Sequence, residues 1–287
     1  MRASTAFCAV VALLVASCGG SGSREYALQG QVLSVSPDHR EATIKHDAIP
    51  GFMAAMTMPY HPRDPREFEP LSEGDLITAT LVVESNDAYL KKVRKTGTAP
   101  VARPANDAPA ASSGFELLKI GQPVPNVEFV DQDGQHVEFD SYRNSVVVLT
   151  FSYTSCPMPT FCPLMDRHFA AMQRKLKDRG NDLHVRLLSV SIDPLTDTPP
   201  VLKAHAKALD ADHRVWTFVT GERDQLDQWA SRFGMSITRA MNDQRDISHT
   251  LRTAIVDRQG NLVQTYIGRE WTPEQVLADV RVMVGID

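Results

Sequence analysis

The sequence is poor in the residues that announce most ligand classes. Its 30 Lys and Arg are outnumbered by 35 Asp and Glu, and no basic cluster stands out, which argues against a nucleic-acid partner. The apolar run at residues 7–16 is far shorter than the ~20 residues a bilayer-spanning helix needs. With 43% apolar and 23% charged residues, the composition excludes disorder and fibre. No internal repeat is apparent. Cysteine is scarce: Cys8, Cys18, Cys156 and Cys162 are the four in the chain.

The short apolar run follows Arg2 and ends in Val15-Ala16-Ser17-Cys18. Residues 1–17 therefore read as a signal peptide. Small residues directly before a cysteine resemble the bacterial lipoprotein cleavage site. That resemblance implies cleavage before Cys18, lipid on its sulfur and a flexible tether over residues 18–25; ordinary signal cleavage is the plainer alternative. The expected location is the bacterial cell envelope, facing the periplasm, with the membrane reached through the lipid. Cys8 leaves with the signal peptide and Cys18 is acylated. One pair then remains, Cys156 and Cys162, in a compartment where disulfides persist. A domain of roughly 170 residues folds without a disulfide, so the pair reads as chemical, with a plain structural disulfide as the alternative.

At about 150 residues per domain, a length of 287 predicts two domains. Residues 96–114, TGTAPVARPANDAPAASSG, have no apolar period and form a semi-extended Ala/Pro-rich linker. Before it, residues 26–95 show strand signals and no convincing helix. Strands are expected at 26–35, 41–46, 56–60, 76–83 and 89–95. Five short strands in about seventy residues predict a small all-β barrel of the OB type. Residues 115–287 alternate strands and helices. Asp133-Gly134 marks a hairpin, and residues 146–151 and 185–190 are continuous apolar runs of buried strands. Met165, Phe169, Met172 and Leu176 share one helical face, a second helix is expected near 200–209, and Leu226, Trp229, Ala230 and Phe233 mark a third. Thr272-Pro273-Glu274-Gln275 opens the last helix with a cap and a capping box. Hairpin, β-α-β, further helix-separated strands, then hairpin and helix is the order of an α/β thioredoxin-like domain.

Cys156 and Cys162 lie between a buried strand and a helix, with Pro163 in the helix's first turn. A helix N-terminus favours a thiolate, so the pKa of Cys162 is expected to fall. Such a pair either cycles through a disulfide or offers two thiolates to a soft metal. A structural zinc site wants four protein ligands, and no third cysteine is available. His249, just before the strand that starts near Thr253, is the third candidate. Two thiolates and an imidazole suit Cu(I) and, with a weak fourth ligand, Cu(II). Asp193 and Asp197 read as shaping a strand-to-helix turn, with metal or partner contact as the alternative.

Residues 115–287 resemble the Sco/SenC family of cytochrome oxidase assembly proteins. The resemblance rests on residues 151–163, on Ser191-Ile192-Asp193-Pro194 with Asp197-Thr198-Pro199, and on His249 with Val256-Asp257-Arg258-Gln259-Gly260. It implies copper binding by Cys156, Cys162 and His249. It also implies, as recipient, the cytochrome c oxidase subunit that carries the binuclear copper centre. The family spaces its cysteines by three residues, whereas five separate them here.

In the first domain, strand alternation puts Met56 and Met58 on one side, and His46 ends the preceding strand. Thioethers select Cu(I) or Ag(I) over zinc and do not form disulfides; core filling is the alternative use of methionine. The segment resembles the CusF-like periplasmic copper-binding domain, with His46, Met56 and Met58 at its ligand positions. Where that family carries a capping tryptophan this chain has Met53, a fourth candidate ligand or a core residue.

These features make an envelope copper metallochaperone the leading expectation, with transfer between tethered domains made effectively intramolecular, at local concentrations toward the millimolar range, and with the domains free to move. A thiol–disulfide oxidoreductase is the enzymatic alternative. It would use Cys156 and Cys162 as the redox pair, draw on a thiol–disulfide reductant, and keep a partner's copper-ligating cysteines reduced. A periplasmic copper-tolerance buffer is the third. A peroxidase is disfavoured, because no arginine is positioned by sequence near Cys156.

Overall fold

The computed structural model describes residues 22–101, 116–177, 184–239 and 247–284. The signal peptide, Cys8, Cys18 and residues 102–115 of the linker lie outside them. Among the described residues no helix is long and apolar enough to cross a membrane.

The first unit is all-β: β1 (Arg24–Val35), β2 (Ala42–His46), β3 (Met56–Tyr60), β4 (Asp75–Val83) and β5 (Ala88–Thr98), in the order β3-β2-β1-β4-β5. Alternation sends Leu28, Val32, Ile44, Tyr60, Ile77 and Leu81 inward, each at most 2% exposed. The outer strands β3 and β5 share no ladder. They meet where Leu90 N–H donates to the His61 carbonyl (2.9 Å) and Arg63 N–H to the Leu90 carbonyl (2.7 Å). Between those bonds sits Pro62, which has no N–H to continue a ladder. The OB-type order is thus present without closure by continuous strand pairing. β1 begins two residues before its expected start, and β5 runs to Thr98, three residues into the stretch read as linker.

The second unit has a seven-stranded sheet ordered β14-β13-β8-β9-β10-β6-β7. Its strands are β6 (Glu128–Asp131), β7 (His136–Glu138), β8 (Val146–Ser152), β9 (Val185–Ser191), β10 (Trp216–Thr220), β13 (Arg252–Val256) and β14 (Leu262–Ile267). β8, β9 and β10 run parallel, and β6 and β13 run antiparallel to their neighbours. Every residue of β8 is buried, because both faces are covered. Val147, Leu149 and Phe151 pack with Leu226, Trp229 and Phe233, from α3 (Arg223–Arg232) and the residue that ends it. Val146 and Val148 face α1 (Cys162–Lys177), α2 (Pro199–Ala208) and α4 (Pro273–Val284) through Met165, Phe169, Leu202 and Val276. The Asp133-Gly134 hairpin forms as expected: the Asp131 carboxylate accepts from the N–H groups of Asp133 and Gln135, both at 2.8 Å. One hairpin was not foreseen, between β11 (Ile237–Arg239) and β12 (Ile247–His249).

Candidate metal centre

The cysteine loop runs from the end of β8 to the start of α1. Its first turn is anchored from below. Asp197, fully buried, accepts from Thr154 N–H (3.0 Å), the Thr154 hydroxyl (2.5 Å) and the Ser191 hydroxyl (2.6 Å). This carboxylate therefore ties the loop to the end of β9, a positioning role beyond the turn-shaping expected of it. Cys156 follows at the half-buried surface and Cys162, 1% exposed, opens α1.

His249 reaches the pair from β12, where it stands opposite Ile237; it precedes β13 as expected but lies in a short strand of its own. Its Nδ1 lies 3.0 Å from the Thr250 carbonyl and donates to it. That bond assigns the ring proton and turns the Nε2 lone pair toward Cys162 Sγ, 3.6 Å away. The edge of the Tyr153 ring packs on the imidazole at 5.6 Å, and the Tyr153 hydroxyl donates to the Ile247 carbonyl (3.3 Å), holding β12 over the loop. Burial lowers the His249 pKa to about 4, so the ring is neutral, the form that ligates.

The two thiols differ. A hydrogen bond from the Cys162 thiol lowers the pKa of Cys156, whereas desolvation pushes Cys162 well up. The expectation that the helix terminus would lower Cys162 is overturned: a terminus offsets little when the sulfur is cut off from water. Cys156 takes the first negative charge.

In the barrel unit, His46 stands directly opposite Met56 and Ile44 opposite Met58. His46 Nδ1 donates to the Asp47 carbonyl at 2.7 Å, which leaves the lone pair on Nε2. Gly30 faces His46 on β1, where a Cβ would lie 2.9 Å from the His46 Cα. Met53 is 9% exposed, pairs with Ile49, and its sulfur receives the Tyr60 hydroxyl at 3.9 Å.

The two sets face each other. A cavity of about 490 Å³ has Met53, Met56 and Met58 on one wall and Cys156, Met158 and His249 on the other. Met158, 4% exposed, packs into the barrel's own apolar cluster, with Cys156 and Phe161 against its edge. Arg269 spans the rim, 3.2 Å from Glu41 and stacked over the Phe161 ring at 5.6 Å. The two units meet across their candidate sites. His46 and Cys162 lie behind their partners and do not line the cavity. Among the described residues, no group of three or more His, Cys, Asp or Glu side chains is gathered tightly enough to hold a metal as it stands. Sequence reasoning missed Met158, Tyr153 and Arg269. Only the methionine carried a signal, as a third soft donor beside the two thiols of the cysteine loop.

The family model described as SCO1/SenC matches residues 122–285, more than half of the chain. The chain belongs to the SCO1/SenC family. A second model, described as copper binding periplasmic protein CusF, matches residues 25–95. The SCO1 protein homolog of Bacillus subtilis is 30% identical over 164 residues, 56% of this chain and 83% of that protein. An SCO2-like protein of Rickettsia prowazekii is 27% identical over 155 residues, covering 53% and 71% of the two chains. Among solved structures, BsSco, described as a member of the Sco family of cytochrome c oxidase assembly proteins with a disulfide switch, superposes with a TM-score of 0.50 at 26% identity. That match covers 60% of this chain and 100% of the other. A SCO1/SenC family lipoprotein from Bacillus anthracis has the same fold, with a TM-score of 0.50 at 24% identity over 57% and 99% of the chains. The thioredoxin-like SCO1/SenC unit with an all-β CusF-type unit before it agrees with the fold expected from sequence.

Proposed function

We propose that this SCO1/SenC protein is a copper metallochaperone of the bacterial envelope, held to the membrane by lipid on Cys18. It takes up Cu(I) on His46, Met56 and Met58, with Met53 beside them, holds copper on Cys156, Cys162 and His249, and delivers it to the binuclear copper centre of cytochrome c oxidase. The observation that carries the reading is the imidazole of His249, neutral and with its Nε2 lone pair aimed at Cys162 Sγ at 3.6 Å, on a loop that also bears Cys156. Two thiols and a neutral imidazole are a soft donor set. The CusF match over the methionine unit and the SCO1/SenC match over the cysteine unit support copper as the cargo of both.

Anaerobic titration of the reduced protein with Cu(I) against a competing chelator tests this. Two tight sites are expected, one of which disappears in the Cys156→Ser/Cys162→Ser variant. No tight site dependent on the cysteines refutes the reading, as does full oxidase assembly in cells carrying that variant.

The asymmetry of the thiols favours a second activity at the same place, thiol–disulfide exchange. A low-pKa Cys156 attacks a partner disulfide and a buried Cys162 resolves the mixed disulfide. His249→Ala separates the two: copper affinity falls while disulfide reduction persists. If both fall together, this variant does not separate the two activities. Loss of growth in excess copper, with oxidase activity intact in scarce copper, would favour a tolerance buffer instead.

A further inference from the structure

The loop between the cysteines holds a residue that neither unit's ligand set includes. Met158 belongs to the second unit by sequence but is buried to 4% in the apolar cluster of the first, together with Met53, Met58 and, at its margin, Met56. Its carbonyl receives Phe161 N–H at 3.0 Å and the Cys156 thiol at 4.0 Å. The main chain of Met158 is therefore tied to Cys156 while its side chain lies among the barrel methionines. Met158 and Cys156 both line the cavity that Met56 and Met58 open into. With five residues between the cysteines rather than three, the loop is long enough to place a side chain across the interface.

We propose that Met158 is a relay ligand: Cu(I) passes from Met56 and Met58 to Cys156 through a thioether-bound state shared by Met56, Met58 and Met158. This rests on the proposed copper function and adds a route within it. The chemistry needs no redox partner. Copper stays Cu(I); the Met158 sulfur bonds as one barrel ligand leaves, then the Cys156 thiolate bonds as a methionine leaves. The proton of the Cys156 thiol, where still present, goes to solvent. Each exchange brings in one soft sulfur as another ligand leaves, at near-constant coordination number, inside the cavity that both units line. A route through bulk solvent would expose Cu(I) to oxidation and to other thiols. A ligand carried by the acceptor loop itself avoids that release.

The test uses the full chain with 13C-methyl-labelled methionine and Cu(I) added anaerobically, in wild type and in the Cys156→Ser/Cys162→Ser variant, which keeps the metal on thioethers. The methyl resonances of Met56, Met58 and Met158 should move together within the first equivalent of the serine variant. In wild type, Met158→Leu, which keeps the apolar volume, should slow the appearance of thiolate-to-copper absorbance at least tenfold after Cu(I) is added to the barrel site, with final occupancy unchanged. If Met56 and Met58 shift while Met158 stays still, or if Met158→Leu transfers at the wild-type rate, the relay is overturned and the two-site function stands. If none of the three shifts, the barrel site and the relay fall together.

Discussion

Replacing Asp197 by Ala should destabilise the cysteine unit far more than its place in a turn would imply. The side chain is 0% exposed and accepts three hydrogen bonds, two from Thr154 and one from Ser191. A hydrogen bond to a carboxylate is worth roughly 1.5 kcal/mol or more, and the Ser191 hydroxyl left behind is on a buried residue. Three such bonds put the loss at about 4–5 kcal/mol, a large share of the ~5–15 kcal/mol of an ordinary domain. Asp197→Asn should cost less, about 1–3 kcal/mol. The Thr154 and Ser191 hydroxyls can rotate to accept from the amide, whereas Thr154 N–H can only donate. Urea unfolding followed by tryptophan fluorescence measures this in the right place, because Trp216, Trp229 and Trp271 all lie in the second unit. A loss below about 1 kcal/mol for Asp197→Ala would refute the idea that this carboxylate holds the cysteine loop. Equal losses for Ala and Asn would show that the donors do not re-pair.

Gly30→Ala should strain the barrel by about 1–3 kcal/mol and weaken its Cu(I) site. The new Cβ would lie 2.7 Å from the Lys45 carbonyl oxygen and 2.9 Å from the His46 Cα, both backbone atoms; unchanged melting and affinity would contradict this. His205 lies 3.0 Å from Asp166. Burial pulls its pKa down, but the hydrogen bond and charge of Asp166 outweigh it and the net shift is upward. The resulting stabilisation is fully present below the unfolded-state value near 6.5 and is lost as pH rises through the higher folded value. The stability advantage of wild type over Asp166→Asn should therefore shrink between pH 6 and pH 9 in urea titrations, and a constant difference would exclude the pair as its source. Arg269→Ala removes both the Glu41 contact and the cation over Phe161. It should raise the radius of gyration in X-ray scattering as the units part, and an identical scattering curve would mean that the remaining contacts, Met158 and Phe161 among them, hold the units without it.

Most of the fold is legible in local pattern. Val146, Val147, Val148 and Leu149 in unbroken succession require a strand covered on both faces, and α3 and α1 cover them. Alternation in β2 and β3 puts Met56 and Met58 on one side, a consequence of the two-residue period alone. Cys156, Cys162 and His249 stand out because few residue types bind a soft metal and this chain has few cysteines. Local pattern does not carry what depends on distance along the chain. The helix start at Cys162 favours a lowered pKa, but desolvation raises it, in a core cluster that includes Leu188, Val190 and Ile247, distant in sequence. Ile237 and His249 are 12 positions apart, and only their pairing makes β12 a strand. Asp197 becomes an anchor only when the end of β9 meets Thr154. Met158 lies in the loop between the cysteines. The packing of one unit on the other turned it into part of the barrel, because a buried thioether goes where apolar surface is available, whichever unit its chain belongs to.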